Sequence, residues 1–134
     1  MLKRVHHINF VVNDLDKAVA KYQALFDLDN CEYLKHPHRP VKTARFKIGE
    51  SWIVLLQPLD QESAPARHLQ QHGEGFFLIS YEVDDINAAM LGVEENGGAW
   101  RDKQSRPGIL NWQVADLEPD STFGALIQFV EEKD

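Results

Sequence analysis

Residues 5–15, VHHINFVVNDL, and residues 76–86, FFLISYEVDDI, share one pattern. Laid over each other with a shift of 71, His7 meets Leu78, Asn9 meets Ser80, Phe10 meets Tyr81, Val12 meets Val83 and Asp14 meets Asp85. Both stretches alternate in the manner of a half-buried strand and run into an aspartate, Asp14 or Asp85, that can cap a helix. After Asp14, the residues Leu15, Ala18, Val19, Tyr22, Leu25 and Phe26 recur at helical spacing. After Asp85, so do Ile86, Ala89, Met90 and Val93, with Gly97 closing the helix.

The repeat extends beyond this corner. CEYLKHP (31–37) reads as a short strand, and VKTARFKI and WIVLLQPL flank a GES turn as a hairpin. In the second half AWRD (99–102) reads as a short strand, and ILNWQVADLE and FGALIQFVEE as two strands joined by PDST. The last strands match with a shift of 74 instead of 71, as a three-residue loop difference produces. The expected fold is therefore α+β, one domain over 1–134, built from two tandem βαβββ modules at 5–60 and 76–132. The linker 61–75 is helical, with Ser63 as cap, Pro65 in the first turn and Gly73 at the end.

Composition narrows the function classes. With 43% hydrophobic and 26% charged residues, the 134-residue chain can bury a core without covalent staples. A single cysteine, Cys31, excludes an internal disulfide and suits a reducing, cytoplasmic location, where it reads as a small buried hydrophobe. The net charge of -7 argues against nucleic acid, and no apolar run is long enough for a membrane span. His68 and His72 stand one helical turn apart but lack further ligands, and HPHRP (36–40) reads as a polar loop.

These stretches resemble the vicinal oxygen chelate superfamily of glyoxalases, extradiol dioxygenases, bleomycin-resistance proteins and methylmalonyl-CoA epimerases. Residues 41–86, with their LLxPL, Ser-capped helix, GxG and VDDI, are most similar to the epimerase branch, and HHINFVVNDLDKAVAKYQALF (6–26) extends the likeness over nearly the whole chain. The resemblance implies a glyoxalase-like half-open barrel, or cup, a homodimer, lyase or isomerase chemistry, and a divalent metal. Four side chains hold that metal, and their places here are His7, Val54, Leu78 and Gln128. Val54 and Leu78 have no lone pair. His7 and Gln128 alone cannot hold a dication that wants three or more protein ligands. No metal or other cofactor is expected, and any metal retained would rest on His7 and Gln128.

Alternation along the strands gives the remaining cup residues. Asn9, Arg45, Trp52, Ser80, Asn111 and Gln113 join Val54, Leu78 and Gln128 as candidate ligand contacts, and His7 and Glu82 as candidate proton carriers. Arg45 suits a carboxylate or phosphate. Trp112 and Val114 are assigned to the helix side. Three readings stay open: an enzyme acting on a small acyl or oxo compound with a polar or anionic group, a metal-free ligand-sequestering protein of the bleomycin-resistance type, and a non-catalytic partner domain. For each polar candidate, an ordinary structural pairing competes with a functional role.

Overall fold

A computed structural model describes residues 1–134. The chain forms two compact units, Ile8–Phe77 and a second made of Met1–His7 with Leu78–Asp134. The first strand, β1 (Arg4–Val11), and the fifth, β5 (Gly75–Glu82), each run from one unit into the other.

In the Ile8–Phe77 unit the strands lie in the order β2-β3-β4-β1, with β2 at Glu32–Lys35, β3 at Val41–Ile48 and β4 at Ser51–Pro58. Helix α1 (Leu15–Phe26) starts where expected, because Asp14 accepts a hydrogen bond from the Lys17 amide at 3.1 Å. Its apolar stripe packs Leu15 and Val19 against Val12, Ala44, Phe46 and Leu55, with Phe10, Ile53 and Cys31 at the margin. Leu55 is fully buried there, so truncation to alanine should cost about 2–5 kcal/mol. The stripe does not stay buried to its end: Leu25 and Phe26 are exposed, and Asp27 then turns the chain into the left-handed region at φ 54°. Helix α2 (Ala64–His72) is capped by Ser63 and stopped at Gly73, as the linker sequence implies.

In the other unit the order is β5-β8-β7-β6, with β6 at Arg106–Pro107, β7 at Trp112–Asp116 and β8 at Ile127–Glu132. Helix α3 (Ile86–Glu95) is capped by Asp85 through the Ala88 amide at 3.1 Å. It packs Ile86, Ala89 and Met90 on Val83, Ala115 and Phe129. Strands β5 and β8 are parallel, pairing Ser80 with Gln128, while β7 and β8 are antiparallel, pairing Asp116 with Gln128 and Trp112 with Glu132.

Two local expectations change. AWRD is not a strand: only Trp100 bridges to Leu117, and the short strand falls at Arg106–Pro107. PDST forms one 3-10 turn, Pro119–Thr122, after which Phe123 sits at φ 59° with its ring in solvent.

Candidate functional site

The second unit gathers a polar cluster around buried His6 and His7 from β1, β5, β7 and β8. Arg4 Nε donates to Glu82 Oε1 at 2.5 Å, and Arg4 Nη2 lies 3.6 Å from Glu132. His6 is fully buried and its Nε2 is bonded to Glu132 Oε1. His6 Nδ1 lies 2.8 Å from His7 Nδ1. His7 lies flat against Trp112, with centroids 4.6 Å apart and planes 17° from parallel, and His6 meets the same indole edge-on at 4.7 Å.

Hydrogen-bond chemistry assigns the protons. A carboxylate only accepts, so His6 Nε2 carries a hydrogen. Burial holds the His6 pKa below its ordinary value, against the opposing pull of Glu132. A neutral His6 then offers a bare Nδ1, which accepts from His7 Nδ1–H. The chain Glu132–His6–His7 places the lone pair of His7 on Nε2.

A second cluster lies on the same unit. Arg106 Nη1 bonds Asp102 Oδ2 at 2.5 Å and Nη2 bonds Asp116 Oδ2 at 3.0 Å. Asp116 Oδ1 accepts from Gln128 Nε2 at 3.0 Å. Gln128 is thus held by its amide nitrogen, which leaves its carbonyl oxygen as the group it can present.

Of the predicted residues, His7, Leu78, Ser80, Glu82 and Gln128 lie in this unit and are buried. Asn9, Arg45, Trp52 and Val54 lie in the Ile8–Phe77 unit, on the sheet face opposite α1 by alternation with Phe10, Ala44 and Leu55. The face expected for Asn111 and Gln113 changes. The register that sets Asp116 against Gln128 puts Gln113 against Glu131, and Glu131 accepts from the Ile86 amide on the helix side. Gln113 bonds Ser105 and Asn111 bonds the Lys133 carbonyl. Trp112 and Val114, assigned to the helix side, share the face of Gln128 and Val130 instead. The helix side takes small Ala115, which lets α3 approach closely.

Arg4, His6, Glu132, Arg106 and Asp116 were not foreseen. The doublet His6–His7 was the available signal, because it sets two imidazoles within reach of each other. Glu82 is committed to Arg4, which weakens its case as a mobile base.

Two buried side-chain oxygens have no hydrogen-bond partner: Asn9 Oδ1 and Ser80 Oγ. They occupy equivalent positions of the repeat, each two residues beyond a position where the resemblance puts a metal ligand. Unsatisfied buried polar atoms cost about 1–3 kcal/mol each, so their recurrence at one repeat position calls for a reason.

The donor set bears on the metal that the resemblance implies. Leu78 and Val54 are buried aliphatic side chains. His7 Nδ1 faces His6, and Gln128 turns its nitrogen to Asp116. Within this unit Leu78 offers no donor, and His7 with Gln128 is fewer than the three protein ligands that a zinc ion takes.

Known proteins place the chain in a family. The family model described as glyoxalase/bleomycin resistance protein/dioxygenase superfamily matches residues 6–115. The ethylmalonyl-CoA/methylmalonyl-CoA epimerase of Cereibacter sphaeroides is 31% identical over 130 residues, covering 96% of this chain and 97% of that protein. The human mitochondrial methylmalonyl-CoA epimerase is 29% identical over 128 residues, covering 95% of this chain and 73% of the relative. Among solved structures, a Streptomyces coelicolor methylmalonyl-CoA epimerase variant in complex with 2-nitronate-propionyl-CoA superposes with a TM-score of 0.93 at 26% identity, covering all of both chains. A hypothetical protein from Bacillus halodurans C-125 gives 0.92 at 34% identity, covering 98% of this chain and 95% of that one. The α+β architecture is the glyoxalase-like fold, and the chain belongs to the glyoxalase/bleomycin resistance protein/dioxygenase superfamily.

Proposed function

We propose that this chain binds a small anionic acyl compound, with an acyl-CoA thioester of the malonyl type as the best fit, and moves a proton at its α-carbon without a protein-held metal. The observation that carries the reading is the unsatisfied buried hydroxyl oxygen of Ser80, in the unit that also holds His7. Ser80 Oγ–H can donate to a carbonyl or carboxylate oxygen. The epimerase relatives and the acyl-CoA ligand of a structural neighbour support the substrate class.

In this reading His7 Nε2 takes the α-proton and the C–H electron pair moves onto the thioester carbonyl, giving an enolate. Ser80 stabilises the developing charge, and the proton returns to carbon. His6 and Glu132 are positioning residues that hold the His7 tautomer. Glu82 balances Arg4 instead of moving a proton.

A second reading, a protein that holds the ligand and turns over nothing, is favoured by buried Val54 and Leu78 and by the Arg4–Glu82 pair. The two are separated by incubating chelator-treated protein with methylmalonyl-CoA in D₂O and following the α-proton by NMR. Exchange that His7→Gln abolishes supports the proton-transfer reading. Binding without exchange supports the second. Exchange or binding that appears only after metal is added overturns the metal-free part of both, and no binding overturns both.

A further inference from the structure

On the Ile8–Phe77 unit, one indole carries two cations. Arg45 places its guanidinium carbon 3.7 Å from the Trp52 ring centroid, and Lys47 places Nζ 4.6 Å from it. The geometry follows from register. Lys47 and Trp52 are direct partners across β3 and β4, and Arg45 is two residues along on the same face. Glu32, opposite Arg45 on β2, accepts from Arg45 Nε at 3.2 Å and Nη2 at 2.9 Å. Glu32 answers Arg45 and no carboxylate answers Lys47, in a chain whose net charge is -7.

Placing like charges side by side is unfavourable, and an ammonium stacked on an indole gains only part of what a full ion pair supplies. The same indole restrains both side chains, so less entropy is lost when they grip a third group. The face continues into buried Val54, Leu56 and Thr43 and, by alternation, Asn9 with its unsatisfied oxygen. A positive rim beside an apolar floor with a lone polar group suits a ligand that is anionic at one end and apolar along its length.

We propose that Arg45, Lys47 and Trp52 form an oxyanion-binding platform. The oxyanion is a phosphate group of a nucleotide-bearing thioester or a carboxylate of the acyl part. This inference rests on the face of one unit and stands whether or not the α-proton is moved.

The test is a set of titrations at low salt, followed by calorimetry and by the Trp52 indole N–H resonance, with wild type, Lys47→Ala and Lys47→Gln. Pyrophosphate, malonate, coenzyme A and uncharged S-acetylpantetheine are the probes. The platform predicts that at least one oxyanion probe moves the Trp52 resonance. Its affinity should fall about ten-fold in both Lys47 variants and weaken with salt, while S-acetylpantetheine is unchanged. Loss confined to pyrophosphate and coenzyme A identifies phosphate, and loss confined to malonate identifies carboxylate. Arg45→Lys, which keeps the charge and loses the fork, should weaken the same probe. Failure of every oxyanion to move Trp52 in wild type, or equal affinities in wild type and Lys47→Ala, overturns the proposal. Malonate or pyrophosphate binding that depends on Lys47, without any α-proton exchange, keeps the platform and removes the enzymatic reading.

Discussion

His6 gives its Nε2 hydrogen to Glu132 while its Nδ1 accepts from His7, so one buried imidazole stands between a carboxylate and a second imidazole. Burial lowers the His6 pKa from 6.5. The unfolded chain therefore binds a proton at a higher pH than the folded one, and stability rises with pH across that interval. The His6 contribution is complete above about pH 6.5 and is lost as pH falls from there toward the folded value. Urea unfolding at pH 7.5 and at pH 5.5 should show the loss, and His6→Gln should reduce it. In Glu132→Gln the opposing pull disappears, so an NMR titration should place His6 lower still.

Arg106 ties Asp102 and Asp116, and Asp116 orients Gln128. The pairs are about three-quarters buried, so Arg106→Leu leaves two partly desolvated carboxylates without their cation. The expected loss is about 2 kcal/mol, read from the urea midpoint, a value between exposed and fully buried pairs. Adding Asp116→Asn to Arg106→Leu should recover part of it, because one uncompensated charge is gone.

Phe123 holds a left-handed backbone with a fully exposed ring. The neighbouring Thr122 hydroxyl bonds the Ala125 carbonyl and the Ser121 hydroxyl accepts from the Ala99 amide, so the turn is fixed by its neighbours instead of by the ring. Phe123→Gly removes the strain at some cost in chain entropy, for a net gain of about 0.5–1 kcal/mol in thermal or urea unfolding.

Leu78→His adds a nitrogen ligand to the unit that already holds His7 and Gln128. Cobalt(II) titration should show visible absorption with this variant and none with wild type. Equal absorption from wild type would show that other donors hold a metal.

The repeat was legible because its decisive marks are local. Asp14 and Asp85 cap helices through amides three residues on, and alternation sets Asn9 and Ser80 on one face of their strands. The face of β7 was misread because burial does not reveal what buries a residue. Trp112 is covered by His6 and His7, whereas Ala115, with less apolar surface, meets the helix. Arg4, Glu82 and Glu132 are 78 and 50 residues apart in sequence, and nothing local announces their pairing.

The division of β1 between the units bears on how the chain can be cut. Severing it in the linker at 61–75 yields fragments that look like the two repeats but are not the two compact units. The C-terminal piece would leave Glu82 without the guanidinium of Arg4 and Glu132 without the imidazole of His6. Neither fragment should be stable alone, while the two mixed should reassemble. A permuted chain that starts near residue 62 and joins the old termini would instead deliver Met1–His7 directly after Asp134, making contiguous in sequence the segments that one unit draws from both ends of the chain.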